Sequence, residues 1–184
     1  IHNDGRVFLR RVTPYRINSR TDGAVITYVD ISEQTRVARQ LAESLTDIET
    51  IFRNAPIGLA QFAPDMTYLR INDMLAAING IPAADHIGKR VAEVLPDIGA
   101  SIEALLDDVL RTGQTIGPRE VHGTTPATGD REHVWLATWA PVLDAEGKVS
   151  SVMVSAMDVT DRERQAAELR DSADRLRKTM DQVL

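Results

Sequence analysis

The chain has 184 residues, of which 43% are hydrophobic and 26% charged, with a formal net charge of -6. This apolar content builds a core, so disorder throughout the chain is excluded. Clustered Lys and Arg supply most nucleic-acid affinity, and an acidic chain therefore predicts no nucleic-acid partner. The absence of cysteine excludes disulfides, cysteine-ligated zinc and a cysteine-linked flavin.

Neither a membrane span nor a signal peptide is visible in the sequence. No apolar run approaches the roughly 20 residues that cross a bilayer, and no basic start leads into an apolar core. We therefore expect a cytoplasmic protein without a direct membrane span. Residues 1–6 are typical of a turn inside a sheet, which predicts that the chain is an excerpt of a longer protein.

The first predicted elements are two strands and a helix. Residues 6–13 and 24–31 are rich in β-branched residues and predict a hairpin around a turn at Thr21-Asp22-Gly23. A lone hairpin is marginal in water, so we expect it to complete a sheet whose other strands lie elsewhere. Residues 32–54 predict a helix that ends before Pro56.

The following segment predicts an α+β fold. Residues 57–62 and 66–71 predict a hairpin, and a short helix over residues 74–80 is capped by Asn72 and ended by Gly80. Short helical pieces over residues 82–95 and a helix over residues 99–112 follow. Three strands come next, at about residues 117–122, 131–142 and 148–157. This order predicts short helices on one face of an antiparallel sheet.

Two stretches of the chain repeat each other without a gap, one starting at Asp30-Ile31-Ser32 and the other at Asp158-Val159-Thr160. In each copy, apolar residues recur in steps of three and four after the aspartate. Such spacing predicts amphipathic helices that bury a seam against another helix, as in a coiled coil, and hence a homodimer. The seam positions are Leu41, Leu45, Ile48, Leu169, Leu176 and Met180.

Short motifs in the correct order make residues 48–160 resemble a PAS sensory domain. They include the run over residues 51–58, Ile71-Asn72, Gly147 in the last turn and the closing Asp158-Val159-Thr160. Residues 5–31 resemble the last two strands of an upstream PAS domain, as fused to chemotaxis methylesterase/methyltransferase proteins and to hybrid histidine kinases. The resemblance implies a five-stranded antiparallel sheet, a ligand cavity beneath its helices, dimerisation and an attached output domain.

The expected organisation is a tandem one. Residues 1–31 are the C-terminal strands of a truncated upstream PAS domain, residues 32–54 a helical linker, residues 55–160 a complete PAS domain and residues 161–184 a C-terminal signalling helix. We expect a sensory and dimerisation module of a bacterial two-component system that relays a signal to a histidine kinase. The alternatives are a ligand-free dimerisation scaffold and an input module for a cyclase or phosphodiesterase.

The fragment itself is not expected to be an enzyme. It contains no glycine-rich phosphate loop, no Gly-x-Ser-x-Gly and no His-Glu-x-x-His motif. Whether the full-length protein is an enzyme depends on its output domain, for which a histidine kinase is the expectation.

A signal junction is predicted where each strand meets its helix, at Asp30, Ser32, Asp158, Thr160 and Glu163. Residues 160–163 fit a capping box, in which Thr160 caps the N–H of Glu163 and the Glu163 carboxylate reaches back. Asp158 is interpreted as a tie between sheet and helix, through which distortion of the sheet changes the helix start. The alternative is that Asp158 merely ends a strand.

A ligand pocket is predicted from apolar residues on inward faces. Trp135, Ala137 and Trp139 share one face of a strand, and they either line a pocket or pack in the core or against a partner. We expect no certain cofactor, but an unidentified small apolar ligand fits this interpretation. The candidate pocket residues are Phe62, Met74, Ile78, Val94, Leu110, Trp135, Trp139 and Met153.

The histidines are not expected to bind a metal. His86 lies near a short helix and is a conceivable heme ligand. Heme-binding PAS domains resemble one another in placing a histidine on the longer helix, and residues 99–112 contain none. His122 and His133 are interpreted as exposed turn residues.

Overall fold

The computed structural model describes residues 6–17 and 20–181 and divides into two compact units, Ile1–Ile51 and Phe52–Leu184. In the first unit, strands β1 (Phe8–Ile17) and β2 (Arg20–Asp30) pair antiparallel. Helix α1 (Ser32–Asn54) follows β2 directly and has the bounds that the sequence predicts. The large apolar side chains of this hairpin are exposed, among them Leu9, Val12 and Ile26.

The turn predicted at Thr21-Asp22-Gly23 is wrong. These residues lie within β2, where Gly23 pairs with Tyr15 and Thr21 with Arg16. Asp22 is therefore the extra residue at a register shift. The strand pairing thus places a register irregularity, and not a chain reversal, at these residues.

The second unit contains a five-stranded antiparallel sheet, as predicted. The strands lie in the order β4-β3-β7-β6-β5, so the last strand of the chain is at the centre of the sheet. Their bounds are β3 (Gly58–Phe62), β4 (Tyr68–Ile71), β5 (Ile116–Gly123), β6 (His133–Leu143) and β7 (Val149–Asp158).

Short helices connect β4 to β5. Helix α2 (Asp73–Asn79) is capped at its start by the Asn72 carboxamide and ends at Gly80, which has a φ of 74°. A 3₁₀ turn (Ala83–Asp85) and helix α3 (Val91–Val94) follow. Helix α4 (Gly99–Thr112) ends at Gly113, and Gly80 and Gly113 both take the left-handed conformation that glycine favours.

The core of the second unit lies where these helices meet the sheet. Helix α4 packs against β6 and β7, and α2 packs against β3. Alternate residues of each strand point into this core, which explains why Trp135, Ala137 and Trp139 are all buried on β6. Val152 and Val154 contribute in the same way from β7.

Asn72 is a buried polar node of the second unit. Its Nδ2 donates to the carbonyls of Phe52 (3.2 Å) and Ile57 (2.9 Å), and its Oδ1 accepts from the N–H groups of Leu59 (2.8 Å) and Leu75 (3.0 Å). One side chain therefore joins the end of α1, the start of β3 and the start of α2.

The last element is helix α5 (Thr160–Asp181), which begins two residues after the end of β7. Among the described helices, none combines the length and apolar character that crossing a bilayer requires.

Candidate functional site

A cavity of about 50 Å³ lies within the second unit, between the helices and the sheet. At about 10–15 Å³ for each enclosed water, it has room for roughly three to five water molecules. Its wall is apolar and aromatic apart from a few polar groups. The lining residues are Phe62, Tyr68, Leu75, Ile78, Asn79, Leu95, Ile98, Ile102, Val121, Thr125, Trp135, Ala137, Trp139, Val154 and Ala156.

Of the predicted pocket residues, Phe62, Ile78, Trp135 and Trp139 line this cavity. The other four predicted residues lie elsewhere. Met153 alternates with the buried Val152 and Val154 on β7 and so points to the other face of the sheet. Met74 is 41% exposed on α2, whereas Val94 is buried in the core and Leu110 packs against it, both away from the cavity.

The polar residues of the wall were not among the candidates. Asn79 is the last residue of α2, and its position before Gly80 indicates only a helix end. Thr125 lies in the loop between β5 and β6, where no periodic pattern marks it. Tyr68 begins β4, and strand alternation from Ile71 does not place it on the inner face because the register shifts in this hairpin.

His86 does not line the cavity itself but contacts Asn79, one of the polar residues of its wall. It is fully buried, with Nε2 2.9 Å from Asn79 Nδ2 and Nδ1 3.0 Å from the Pro82 carbonyl oxygen. Burial lowers the pKa of His86, which favours the neutral ring. These partners assign the proton to Nδ1, which donates to Pro82, while Nε2 accepts from Asn79. Both ring nitrogens are therefore engaged, so His86 offers no free nitrogen to a metal.

Two other polar wall groups also have partners. The Thr125 hydroxyl donates to the carbonyl oxygen of Ile78 at 2.8 Å. The Tyr68 side chain is hydrogen-bonded to Asn79, and burial raises the pKa of Tyr68 well above its usual range. The phenol is therefore neutral, and its polar end is already paired.

The two indoles differ from the rest of the wall. Trp135 and Trp139 are 4% and 1% exposed, and neither Nε1 has a hydrogen-bond partner in the described part of the chain. A buried donor without a partner costs about 1–3 kcal/mol, and native proteins rarely carry one without a reason. Both indole N–H groups are therefore buried donors whose hydrogen-bonding capacity is unused within the described residues.

The predicted signal junction at Asp158 forms a hydrogen-bonded network between sheet and helix. Asp158 Oδ1 accepts from the N–H of Thr160 at 2.9 Å, and Thr160 Oγ1 accepts from the N–H of Val134 at 2.9 Å. The N–H of Val159 donates to the carbonyl oxygen of Val134 at 2.9 Å. The start of α5 is thus attached to the first residues of β6.

The predicted capping box at Thr160 is wrong in its partners. The Thr160 hydroxyl accepts from Val134, and the N–H of Glu163 donates to the carbonyl oxygen of Val159. The reason is that the β6–β7 ladder ends at the pair Trp135–Asp158, which leaves the N–H of Val134 beside the hydroxyl. The Glu163 carboxylate instead lies 3.6 Å from the Arg162 guanidinium.

Asp158 is held in its ionised form. Burial acts to raise the pKa of this carboxyl, but hydrogen bonds from Thr160 and His133 outweigh burial and leave the pKa below its usual range. A lowered pKa means that the carboxylate stabilises the fold at neutral pH. This contribution is lost as the pH falls below about 4, where the carboxyl of the unfolded chain takes up its proton.

His133 is not the exposed turn residue that the sequence predicts. It is the first residue of β6, and its Nδ1 lies 2.7 Å from Asp158 Oδ2. Its ring also stacks on Trp135, with 5.9 Å between ring centroids. His122 lies on β5, half exposed, with its ring 3.4 Å from the Glu120 carboxylate.

Cavity and junction meet at one pair of residues. Trp135, which lines the cavity, is the direct cross-strand partner of Asp158. His133 and Val134, the two residues before Trp135, supply the groups that hold Asp158 and Thr160. One strand pair therefore lies between the cavity wall and the residues that hold the start of α5.

The first junction, at Asp30, has the same hydrogen bonds. Asp30 Oδ1 accepts from the N–H of Ser32 at 3.0 Å, and Ser32 Oγ accepts from the N–H of Val7 at 2.8 Å. The N–H of Ile31 donates to the carbonyl oxygen of Val7, and the N–H of Thr35 donates to that of Ile31. Hydrogen bonds from the Ser32 side chain and backbone lower the pKa of Asp30.

The predicted coiled-coil seam is exposed in the single chain. Leu41, Leu45 and Ile48 are 54–61% exposed on α1, and Leu169 is 72% exposed on α5. The side chains of Leu176 and Met180 lie outside the described residues.

Comparison with known proteins identifies the family of the second unit. Residues 52–164 match the family model described as PAS fold, which covers more than half of the chain. The chain therefore belongs to the PAS family, a family of sensory domains. No curated protein sequence matches the chain.

Solved structures share this fold at low sequence identity. VqmA of Vibrio cholerae in its complex with ligand and DNA has a TM-score of 0.53 and 21% identity, over 63% of this chain and 52% of that one. A PAS domain from Colwellia psychrerythraea has a TM-score of 0.54 and 12% identity, over 64% and 98%. An RNA-binding light-oxygen-voltage receptor has a TM-score of 0.57 and 15% identity, over 95% and 45%.

The sequence-based exclusion of a nucleic-acid partner is wrong. The same fold occurs in VqmA, whose structure contains DNA, and in a receptor described as RNA-binding. Net charge summed over a chain does not describe the one surface that touches phosphate, so the acidic balance does not decide the matter. This chain spans about half the length of either neighbour.

Proposed function

We propose that this chain is a sensory and dimerisation module in which occupancy of the cavity alters the start of α5, which passes the change to an output domain. The observation that carries this proposal is the pairing of Trp135 in the cavity wall with Asp158 in the helix cap. The competing function, a dimerisation scaffold without ligand, requires a filled and satisfied core. A cavity in the core and two buried indole donors without a partner in the described residues argue against it.

The relay works through a few weak bonds. An intramolecular hydrogen bond contributes about 0.5–1.5 kcal/mol, and the bonds from Thr160 to Asp158 and from Val134 to Thr160 hold the helix start. A change of about 1.4 kcal/mol shifts an equilibrium tenfold. Losing one or two of these bonds therefore moves α5 between two discrete arrangements.

The exposed seam is proposed as the dimer contact. A large apolar side chain that moves from solvent into an interface contributes about 1.5–3 kcal/mol, and Leu169 is among the most exposed apolar residues described. We expect Leu169→Asp to abolish self-association in sedimentation velocity experiments. The matched control is Ala167→Asp, an exposed neighbour off the seam that receives the same charge. Equal dissociation of both variants would exclude the seam as the contact.

The first unit is proposed as the end of an upstream PAS domain, which makes the arrangement tandem. Its junction has the hydrogen bonds of the second junction, and its β1–β2 pairing places Phe8 opposite Asp30 as Trp135 lies opposite Asp158. In the second unit the equivalent strands, β6 and β7, are flanked by β5 and β3. The exposed apolar side chains of the hairpin fit strands that lack such neighbours.

The output domain is proposed to be a histidine kinase, with a cyclase or phosphodiesterase as alternatives. This proposal is supported by the resemblance of residues 5–31 to PAS segments of hybrid histidine kinases. A nucleic-acid-binding output domain is a further alternative, because the structural neighbours include VqmA in complex with DNA and a receptor described as RNA-binding.

The relay is tested by disturbing the core at two places of similar depth. Trp135→Leu changes the cavity wall on β6, and Val109→Ala changes the fully buried side of α4. We expect Trp135→Leu to speed hydrogen exchange of the α5 N–H groups at residues 162–165 at least tenfold relative to Val109→Ala. Equal rates in both variants at the same overall stability would contradict the relay.

A further inference from the structure

The buried pair of Asn79 and His86 joins the cavity wall to a group that can take up a proton. We propose that His86 is a proton-controlled switch of this wall: a proton on its Nε2 reverses the carboxamide of Asn79, which then turns its oxygen toward His86. This inference adds a regulation to the cavity and rests on the proposed sensory function.

The hydrogen bonds of the neutral ring have fixed directions. His86 is 0% exposed, and its Nδ1 lies 3.0 Å from the carbonyl oxygen of Pro82, which only accepts, so Nδ1 carries the proton. Its Nε2 lies 2.9 Å from Asn79 Nδ2, which only donates, so Nε2 is the acceptor. Both bonds are therefore complete only while the ring is neutral.

Proton uptake inverts one of these two bonds. An imidazolium ring donates from both nitrogens, so Nε2 and Asn79 Nδ2 become two donors that face each other. The ring keeps its orientation, because Pro82 still accepts from Nδ1 and the Tyr68 ring packs edge-on, with 5.0 Å between ring centroids. A half turn of the carboxamide, which exchanges Nδ2 and Oδ1, restores the bond.

Asn79 is free to make this turn, whereas the other buried asparagine of this region is not. The second partner of Asn79 is the Tyr68 hydroxyl, which is able both to donate and to accept. The last side-chain torsion of asparagine is broad and roughly two-fold. Asn72, in contrast, contacts two backbone carbonyls and two backbone N–H groups, and a reversal would break all four bonds.

The surroundings of His86 place the switch on the acid side of neutrality. Burial is the largest influence and lowers the pKa of His86, and the Pro82 carbonyl acts in the opposite direction. The charged side chains that act on the ring among the described residues are Lys89, which lowers the pKa, and Asp85, which raises it. The Tyr68 phenol faces the ring from β4 and is neutral. The ring therefore takes up its proton below about pH 6.5.

The cavity feels the change because Asn79 lines it, although His86 does not. The end of the carboxamide that is turned away from His86 is an oxygen acceptor when the ring is neutral and an N–H donor when the ring is charged. A ligand that contacts Asn79 therefore binds with an affinity that depends on pH. By linkage, the same ligand changes the pKa of His86.

A pH titration of the intact 184-residue chain by nuclear magnetic resonance, between about pH 8 and pH 5, tests the switch. We expect the proton on Nδ1 at the upper end of this range. On acidification, the Nε2 signal of His86 and the side-chain NH₂ signals of Asn79 should shift with one common midpoint. The NH₂ signals of Asn72 are the internal control and should not move with them, since none of its four partners titrates.

A variant imposes the reversed polarity. Asn79→Asp has nearly the same shape, but its carboxylate only accepts and is negatively charged. It should raise the pKa of His86 by at least about one unit, because an opposite charge within contact distance favours the imidazolium. The matched control is Ala77→Asp, which adds the same charge at an exposed position of α2 and should change this pKa much less.

Three results would overturn the switch. His86 could stay neutral until the chain unfolds, it could titrate while the NH₂ signals of Asn79 do not move, or Asn79→Asp and Ala77→Asp could have the same effect. All three leave the relay untouched, because the Trp135→Leu exchange test is carried out at a single pH. Conversely, a common midpoint together with equal α5 exchange in Trp135→Leu and Val109→Ala would support the switch and contradict the relay.

Discussion

The two strand–helix junctions have the same hydrogen bonds in different surroundings. At Asp30 and at Asp158, a carboxylate accepts from the N–H of a hydroxyl residue two positions on. That hydroxyl accepts from the N–H of Val7 at the first junction and of Val134 at the second. The first junction ends a two-stranded sheet whose apolar side chains are exposed, and the second lies beside a cavity in a five-stranded sheet. A short local motif therefore builds the connection, and the sheet behind it determines what the connection can transmit.

The side chains beside the two aspartates also differ between the junctions. Hydrogen bonds from the Ser32 side chain and backbone lower the pKa of Asp30, with a smaller contribution from the charge of Arg6, whereas His133 Nδ1 lies 2.7 Å from Asp158 Oδ2. The following predictions probe the contrast between the junctions in order of decreasing effect.

The largest effect is expected from Asn72→Ala in the second unit. The change leaves the N–H groups of Leu59 and Leu75 and the carbonyls of Phe52 and Ile57 without their partner. Each buried unpaired group costs about 1–3 kcal/mol, so we expect a loss of about 3 kcal/mol or more in urea unfolding. Asp73→Ala, at the exposed next position, is the control. A loss below about 1 kcal/mol would show that the node is not needed.

The next effect separates the two junctions directly. Thr160 is buried, so Thr160→Val keeps the shape but removes the acceptor of the N–H of Val134 and should cost about 1–3 kcal/mol. Ser32→Ala removes the same acceptor where water can replace it, and should cost much less. Urea unfolding of both variants measures the difference. Equal losses would mean that the surroundings of the junctions do not matter.

A pH dependence is expected from the buried histidine of the second unit. Burial lowers the pKa of His86, so the unfolded chain takes up a proton near pH 6.5 while the folded chain resists it. The contribution of neutral His86 is therefore complete above about pH 6.5 and declines as the pH falls below this value. His86→Gln should flatten this part of the stability profile. Thermal unfolding between about pH 5 and pH 8, the range in which an imidazole changes its charge, measures the effect. If the pH dependence of stability had the same slope in His86→Gln as in the unmodified chain, a lowered pKa of His86 would be contradicted.

The smallest effect is expected at the half-exposed pair of His133 and Asp158. Because solvent screens this pair, His133→Gln should cost less than about 1 kcal/mol. The change should nevertheless speed exchange of the N–H groups at residues 162–165, and His122→Gln on β5 serves as the control. Faster hydrogen exchange in His122→Gln than in His133→Gln would contradict the role of His133 in the junction.

Much of the fold could be predicted from the sequence because its signals are local. Asn72 and Gly80 define the ends of α2, alternation identifies the inner face of β6, and the repeated Asp-x-Ser/Thr motif marks both junctions. The Asp22-Gly23 pair shows the limit, because the same residues suit a bulge and a turn and only strand pairing distinguishes them.

The candidate site was only partly predictable, since its polar groups depend on tertiary contacts. Hydrophobicity places Trp135 and Trp139 inward, but it does not show that their N–H groups lack partners. Asn79 and His86 meet across the turn after α2, and no spacing rule indicates that contact. The apparent capping box at Thr160 fails for the same reason, because a strand N–H competes for the hydroxyl.

The central claim is that the cavity wall and the cap of α5 are energetically coupled, and a double-mutant cycle between Trp135→Phe and Asp158→Ala measures this coupling. From urea unfolding of the two single variants and the double variant, we predict a coupling energy of about 0.5 kcal/mol or more. The same cycle between Val109→Ala and Asp158→Ala should be additive within about 0.5 kcal/mol. Additivity of both pairs would contradict the account.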